Sequence, residues 1–395
     1  MSSLPHSQNS PNEIFDIQLS THRSRLKQEI CGDRLETFAE ALIRVLARLI
    51  ALASFGRLHL RAWGVSLAIF VVLAWGTASI SLISPLSNGK WDDIVLILYV
   101  HTWAAAVAVL QLRSSRFFAR LLLSTLADSV IDRIKVIEDL RDLNVWLRKS
   151  YNKSRQFYFC LTVSIGLTLI SFGCLFFSGE QKALLNFGTF LLFLISWFLG
   201  ATGWYFFFLA VTLSSRLARY RLEMFEFEPA SSPLITSICA MMHAALFVSA
   251  VIATIFTTGL FLFALKSNSV RIVFSLVCAW GPMVFTMLYY QYALFKLIRR
   301  SRMSVIVPLQ GSIAAFQQNM QHLDGSDIEK LNKLLDLHKR VCSSNSTALD
   351  WRGSFATINT LLLPLASLLI ANFLHPTFPH DAQNHAEKVE STSKK

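Results

Sequence analysis

Six runs of apolar residues, each long enough to cross about 30 Å of hydrocarbon at a helical rise of about 1.5 Å per residue, constrain this chain more than any other feature. They cover residues 63–83, 94–112, 157–177, 184–213, 234–265 and 272–298. Hydrocarbon offers backbone amides no water, so each run has to satisfy its own hydrogen bonds as a helix. The expected fold class is therefore all-α, a polytopic membrane helical bundle. A last run, 355–374 (FATINTLLLPLASLLIANFL), is just long enough to span and reads as a seventh helix; its interior Pro364 leaves a re-entrant segment as the alternative. Composition agrees: of 395 residues 53% are hydrophobic and 16% charged, against about 25% charged in soluble domains.

The polar stretches between the runs set orientation. Residues 1–63, 113–156, 214–233 and 296–352 hold 30 of the 37 Lys and Arg, and the opposite loops with the C-terminal tail hold 7. Basic residues collect on the cytosolic side, so the N-terminus is expected in the cytosol and the tail 375–395 outside, in a plasma or inner membrane. The same bias accounts for the net charge of +12, and nucleic acid is not an expected partner. Without an apolar stretch in the first thirty or so residues, the first span is expected to act as signal-anchor.

Residues 1–33 read as a partly disordered cytosolic tail. Residues 34–62 read as an interfacial helix, with Leu42, Ile43, Leu46 and Leu49 set against Glu36, Glu40, Arg44 and Arg48. Two spans fill 63–112, the first ended by Ser84-Pro85, and four fill 157–298. The segments 113–156 and 299–354 read as cytosolic helical pieces, the former a hairpin whose Leu122, Leu126, Val130, Ile134 and Ile137 recur at helical spacing. The fourth and fifth runs hold about 30 residues, about 45 Å of helix, and should tilt or protrude into the cytosol. Ser232-Pro233 is expected to cap the fifth, and Glu223, Glu226 and Glu228 to pair with Arg216, Arg219 and Arg221.

Ionisable and polar groups inside spans are the candidates for function. His101, in the second run, either faces a watery path or titrates near neutral pH, or else bonds a neighbouring helix or lies close to the headgroups. His243, in the fifth, either lies in the membrane or is solvated near the cytosolic interface. Gly281-Pro282 in the sixth run could form a hinge, followed by Gln291 among tyrosines that suit an interfacial belt. In the last run Asn359, Thr360, Pro364, Ser367 and Asn372 could line a pore or bond between helices, Thr360 and Ser367 being seven apart and so on one face. Small residues at Gly200, Gly203, Ala245, Ser249 and Ala253 suit close helix contact.

The six cysteines form no paired motif, and the chain carries no P-loop, GxGxxG, HExxH, GxSxG or EF-hand pattern. No cofactor, metal or enzymatic activity is expected. In plan, with an inward N-terminus, long fourth to sixth helices, a large polar segment before a last helix and a short outer tail, the chain resembles the seven-helix insect gustatory and odorant receptor superfamily. That resemblance implies an oligomeric ligand-gated cation channel, a homo-oligomer whose last helix lines the pore. Where that family commonly has Thr-Tyr, five apolar residues and Gln-Phe, this chain reads Ile370-Ala371-Asn372-Phe373-Leu374-His375-Pro376. Residues 349–374 also resemble the end of uncharacterised bacterial multi-pass proteins. A membrane anchor binding cytosolic protein partners through 113–155 and 299–352 is the alternative, and a transporter the third.

Overall fold

The computed structural model describes residues 11–32, 35–53, 62–87, 91–178, 184–225, 228–264, 269–318 and 325–343. All of them fall in the unit Met1–Asp350. Eleven α-helices are found among them: α1 Pro11–Cys31, α2 Phe38–Ala53, α3 Ala62–Val71, α4 Thr77–Ser87, α5 Trp91–Thr125, α6 Ile137–Ser150, α7 Lys153–Ser178, α8 Phe187–Leu217, α9 Pro233–Ala264, α10 Ser269–Gln318 and α11 Gly325–Ser343. The one strand-like pairing among the described residues is an antiparallel bridge between Ile134 and Leu222.

Five of these stretches are long and apolar enough to cross a membrane: Gly64–Ile83, Trp91–Arg133, Lys153–Gly173, Phe187–Leu217 and Pro233–Gly259. They match the first five expected runs. The sixth run falls inside the 50-residue α10, which does not count among the five, and the seventh lies outside the described residues. Large apolar side chains stand exposed on the spans, Val72 at 71%, Ile83 at 72% and Leu169 at 61% among them. Such surface is costly in water and suits lipid.

The first span departs from a plain helix. Residues Val72–Gly76 form a π-turn between α3 and α4, and the Thr77 hydroxyl donates to Leu73 O at 2.5 Å, occupying a carbonyl within the widened turn. Pro85 does not end the helix as expected. It sits inside the last turn of α4, where a proline forfeits a single hydrogen bond.

Within the segment read as a tail, residues 11–31 form α1, whose Leu19, Leu26 and Ile30 are buried and share one face at spacings of seven and four; residues 1–10 lie outside the described residues. Arg23 donates to Ile134 O at 2.7 Å, and Glu29 pairs with Arg148 at 2.8 Å. The amphipathic α2 begins with a reciprocal cap: Glu40 N–H donates to Thr37 Oγ1 at 3.0 Å and Thr37 N–H to Glu40 Oε2 at 3.1 Å. Its Ala39, Leu42 and Ile43 face the core while Val45 and Leu49 are exposed.

The second span and the expected hairpin after it form one continuous structure. α5 runs on to Thr125, continues as a π-turn to Val130 and a 3₁₀ turn to Arg133, and reverses through extended Ile134–Val136 into α6. Two cores result. One gathers α1, the far end of α5, α6 and parts of α8, α9 and α10 around Leu122, Leu126, Ile131, Leu143 and Leu213. The other joins α2, the first span, α5 and α8 around Ile97, Ala105, Leu112 and Leu192.

Candidate functional site

The first span, α5 and α8 meet at a buried polar chain. His101 lies ten residues into α5, a helix whose first turn carries Asp92 and Asp93 beside the positive end of its dipole. The imidazole is fully buried. Its Nδ1 is 2.8 Å from Ile97 O, one turn back on the same helix, and its Nε2 is 3.0 Å from Ser81 Oγ on α4. Ser81 Oγ is in turn 2.7 Å from Asn186 Oδ1. Asn186 is the N-cap of α8, its Oδ1 accepting from Thr189 N–H at 2.9 Å.

Gly188 makes this meeting possible. A methyl group there would stand 2.5 Å from Thr77 O and 2.9 Å from Ser81 N, so only hydrogen fits between α8 and α4. The hydroxyl of Thr189, one residue on, is buried among the same helices without a hydrogen-bond partner.

Further along α5, Gln111 is buried at 8% exposure where α8 crosses. A methyl group on Gly203 would lie 2.8 Å from both Gln111 O and Ser114 Oγ, and one on Gly200 would overlap the Gln111 amide oxygen. The small residues expected to permit close contact do so here. On another side of α5, Tyr99 OH donates to Gly259 O of α9 at 3.0 Å and the Trp103 indole N–H to Ile255 O at 3.4 Å. α5 is thus the hub of the spans.

Among the expected site residues, His101 takes the helix-bonded alternative. His243 is exposed on α9. Gly281 and Gln291 are half-buried on α10, and the helix runs unbroken through residues 281–282, so Gly281-Pro282 does not interrupt it. Asn359, Thr360, Pro364, Ser367 and Asn372 lie outside the described residues. Ser81, Asn186 and Gln111 were not singled out from sequence. Asn186 had a readable signal, an Asn before a long apolar run, as N-caps require; a lone Ser or Gln in a run gives none.

A second polar junction sits at the ends of the second and fourth spans. Arg221 N–H donates to Asp139 Oδ2 and Tyr220 OH to Asp142 Oδ2, both at 2.7 Å, and Arg216 pairs with Asp142 at 3.4 Å. Lys135 N–H and Glu223 N–H complete a two-bond bridge with Arg221 O and Arg133 O at 3.0 and 2.7 Å. Arg216 therefore pairs with α6 and Arg221 joins α6 and the turn before it through its backbone, while Glu223 pairs with Arg133 at 3.9 Å; Glu226 lies outside the described residues. Burial first, then the Asp142 carboxylate, raises the Tyr220 phenol well above its ordinary range. The Ser232 hydroxyl is buried and unbonded, so it does not cap α9; the chain enters that helix through a Thr236 N–H bond to Ser232 O at 3.0 Å.

Among the described residues no group of three His, Cys, Asp or Glu side chains is placed to hold a metal ion. Compared with protein families, curated proteins and solved structures, the chain matches none of them.

Proposed function

We propose that this chain is a multi-pass integral membrane protein and a subunit of a homo-oligomeric, chemoreceptor-like ion channel whose last helix, 355–374, lines the pore. The five apolar helices are compatible with the multi-pass part of this reading. The oligomer is supported by the helix pair at the far end of α10. Lys296, Arg299, Arg300 and Arg302 mark where α10 leaves the membrane, yet the helix continues for the 16 residues Met303–Gln318, about 24 Å.

Against this extension packs α11, antiparallel, with Arg302 bonding Cys342 O and Gln310 bonding His338. Ile306, Ile313, Leu331 and Val341 are buried between them. Met303 and Val307, four apart, and Ile328 and Leu335, seven apart, remain exposed, Val307 at 63%. Exposed apolar side chains on an uncharged helix extension and on the charge-rich α11 packed against it fit an assembly surface between copies. The segment also directly precedes the run that would line the pore.

The test is native mass spectrometry of the full chain in lipid nanodiscs together with conductance in planar bilayers. Expected are an oligomer and single-channel currents, with Val307→Asp and Leu335→Asp together returning the protein to monomers of wild-type helicity. A wild-type monomer without conductance overturns the reading. The alternative, a membrane anchor, uses the same exposed faces for a different partner and predicts that monomer.

A further inference from the structure

The chain from Ile97 to Thr189 contains a proton count that does not balance for a neutral histidine. Three gaps need a hydrogen: Ile97 O to His101 Nδ1, His101 Nε2 to Ser81 Oγ, and Ser81 Oγ to Asn186 Oδ1, at 2.8, 3.0 and 2.7 Å. Ile97 O only accepts, so the Nδ1 hydrogen is fixed there. Asn186 Oδ1 already accepts from Thr189 N–H, which fixes the amide with its oxygen toward Ser81. A neutral imidazole and the serine hydroxyl supply two hydrogens for the three gaps; an imidazolium supplies the third.

We infer that His101, Ser81 and Asn186 form an intramembrane proton-binding site whose occupancy sets the N-terminal cap of α8. With the proton bound, His101 donates to both Ile97 O and Ser81 Oγ, Ser81 donates to Asn186 Oδ1, and Asn186 caps Thr189 N–H. When the proton leaves from Nε2, Ser81 turns its hydroxyl to Nε2, and its oxygen then confronts Asn186 Oδ1 with no hydrogen between. The Asn186 amide relieves this by rotating to offer its N–H₂, and Thr189 N–H loses its cap. Gly188 holds α4 and α8 too close for the two groups simply to separate.

The surroundings leave the proton to this chain alone. Residues 62–87 carry no ionisable side chain, α8 carries only Tyr205 and Arg216, and α9 only Cys239 and His243. On α5 the nearest are Tyr99, engaged with Gly259 O, then Asp93, Asp92 and Arg113, eight, nine and twelve residues away. On α2, Glu40 pairs with Arg116 at 3.1 Å, four turns along α5. In sequence, Lys90 precedes α5 and Lys182 precedes α8. Among the described residues no carboxylate is placed against the imidazole, and in sequence Glu180 also precedes α8; a proton bound here is held by hydrogen bonds against the cost of burial and is readily lost, as a titrating switch requires.

The experiment reads two atoms at once in the full chain in nanodiscs. ¹⁵N-labelled histidine reports whether both His101 ring nitrogens carry hydrogen, assigned against His101→Gln, and amide exchange corrected for intrinsic rate reports the Thr189 cap. Between about pH 5 and 8 a single transition is expected in which loss of the imidazolium and loss of Thr189 protection coincide. Ser81→Ala should leave Thr189 protection independent of pH, Ser81→Thr should keep the coupling, and Asn186→Asp should move the transition upward by a unit or more. A His101 neutral throughout with constant Thr189 protection overturns the inference, as does unchanged coupling in Ser81→Ala or an Asn186→Asp transition that does not move. None of these readouts involves the pore, so a monomeric, non-conducting protein leaves the outcome unaffected.

Discussion

Gly188 and Tyr220 show how much can hang on one side chain. At Gly188 the obstacle to a methyl group is the Thr77 carbonyl, backbone that cannot swing aside, so Gly188→Ala should destabilise by about 1–3 kcal/mol. Thermal unfolding in nanodiscs reads the loss, and a variant as stable as wild type would show that α4 and α8 are not in contact there. Tyr220 gives a pH dependence. Its phenol keeps its proton in the folded protein to higher pH than in an unfolded chain, where tyrosine titrates near about 10. The folded state thus binds more protons above that pH, so the contribution is complete below about pH 10 and is lost as pH rises further. Tyr220→Phe should flatten the alkaline fall in thermal stability between about pH 9 and 11; an unchanged slope would assign that fall to other groups. At this scale the sequence is partly legible. His101 stands out because histidine is rare in an apolar run, whereas Ser81 and Gln111 acquire meaning only from the helices that cross them.

Long elements are legible where their environment is uniform and not where it changes midway. The runs at 157–177 and 234–265 became α7 and α9 with their ends shifted by a few residues, since one period and one solvent hold throughout. α5 and α10 carry on past the point where the apolar run stops. Their second halves bury one side and expose another that mixes polar and apolar residues, so composition marks a boundary that the backbone ignores. α1 is the sharper case. Between residues 17 and 31 its exposed positions are mostly polar, and Leu19, Leu26 and Ile30 supply its buried stripe. The ion pairs beside them, Lys27 with Asp132 at 2.6 Å and Arg148 with Glu29 at 2.8 Å, are partly exposed and contribute little. The stripe should therefore dominate: Leu26→Ala is expected to cost about 2–5 kcal/mol and to open 11–31 to limited proteolysis, while Lys27→Ala changes cleavage little. Equal effects would mean that the ion pairs hold α1 in place.

Across the whole molecule the recurrent pattern is apolar surface on the outside of long helices and charge gathered on alternate connections. Exposed Val72, Ile83 and Leu169 on the spans, and 30 of 37 basic residues on one predicted side, both follow if a bilayer surrounds the middle of the bundle. The all-helical class and the first five spans were legible because hydrocarbon leaves the backbone no alternative. The packing of α5 against α8 was not, because it depends on which glycine meets which amide. Sidedness of the first two spans tests the membrane reading most directly. A membrane-impermeant maleimide is applied to sealed right-side-out vesicles carrying the full chain with Cys342→Ser. One form keeps the exposed native Cys31, and the other carries Cys31→Ser with Asn88→Cys between the first and second spans. Labelling of the Asn88→Cys form before permeabilisation and of Cys31 only afterwards is the expected result; both positions labelling alike from one side would contradict it.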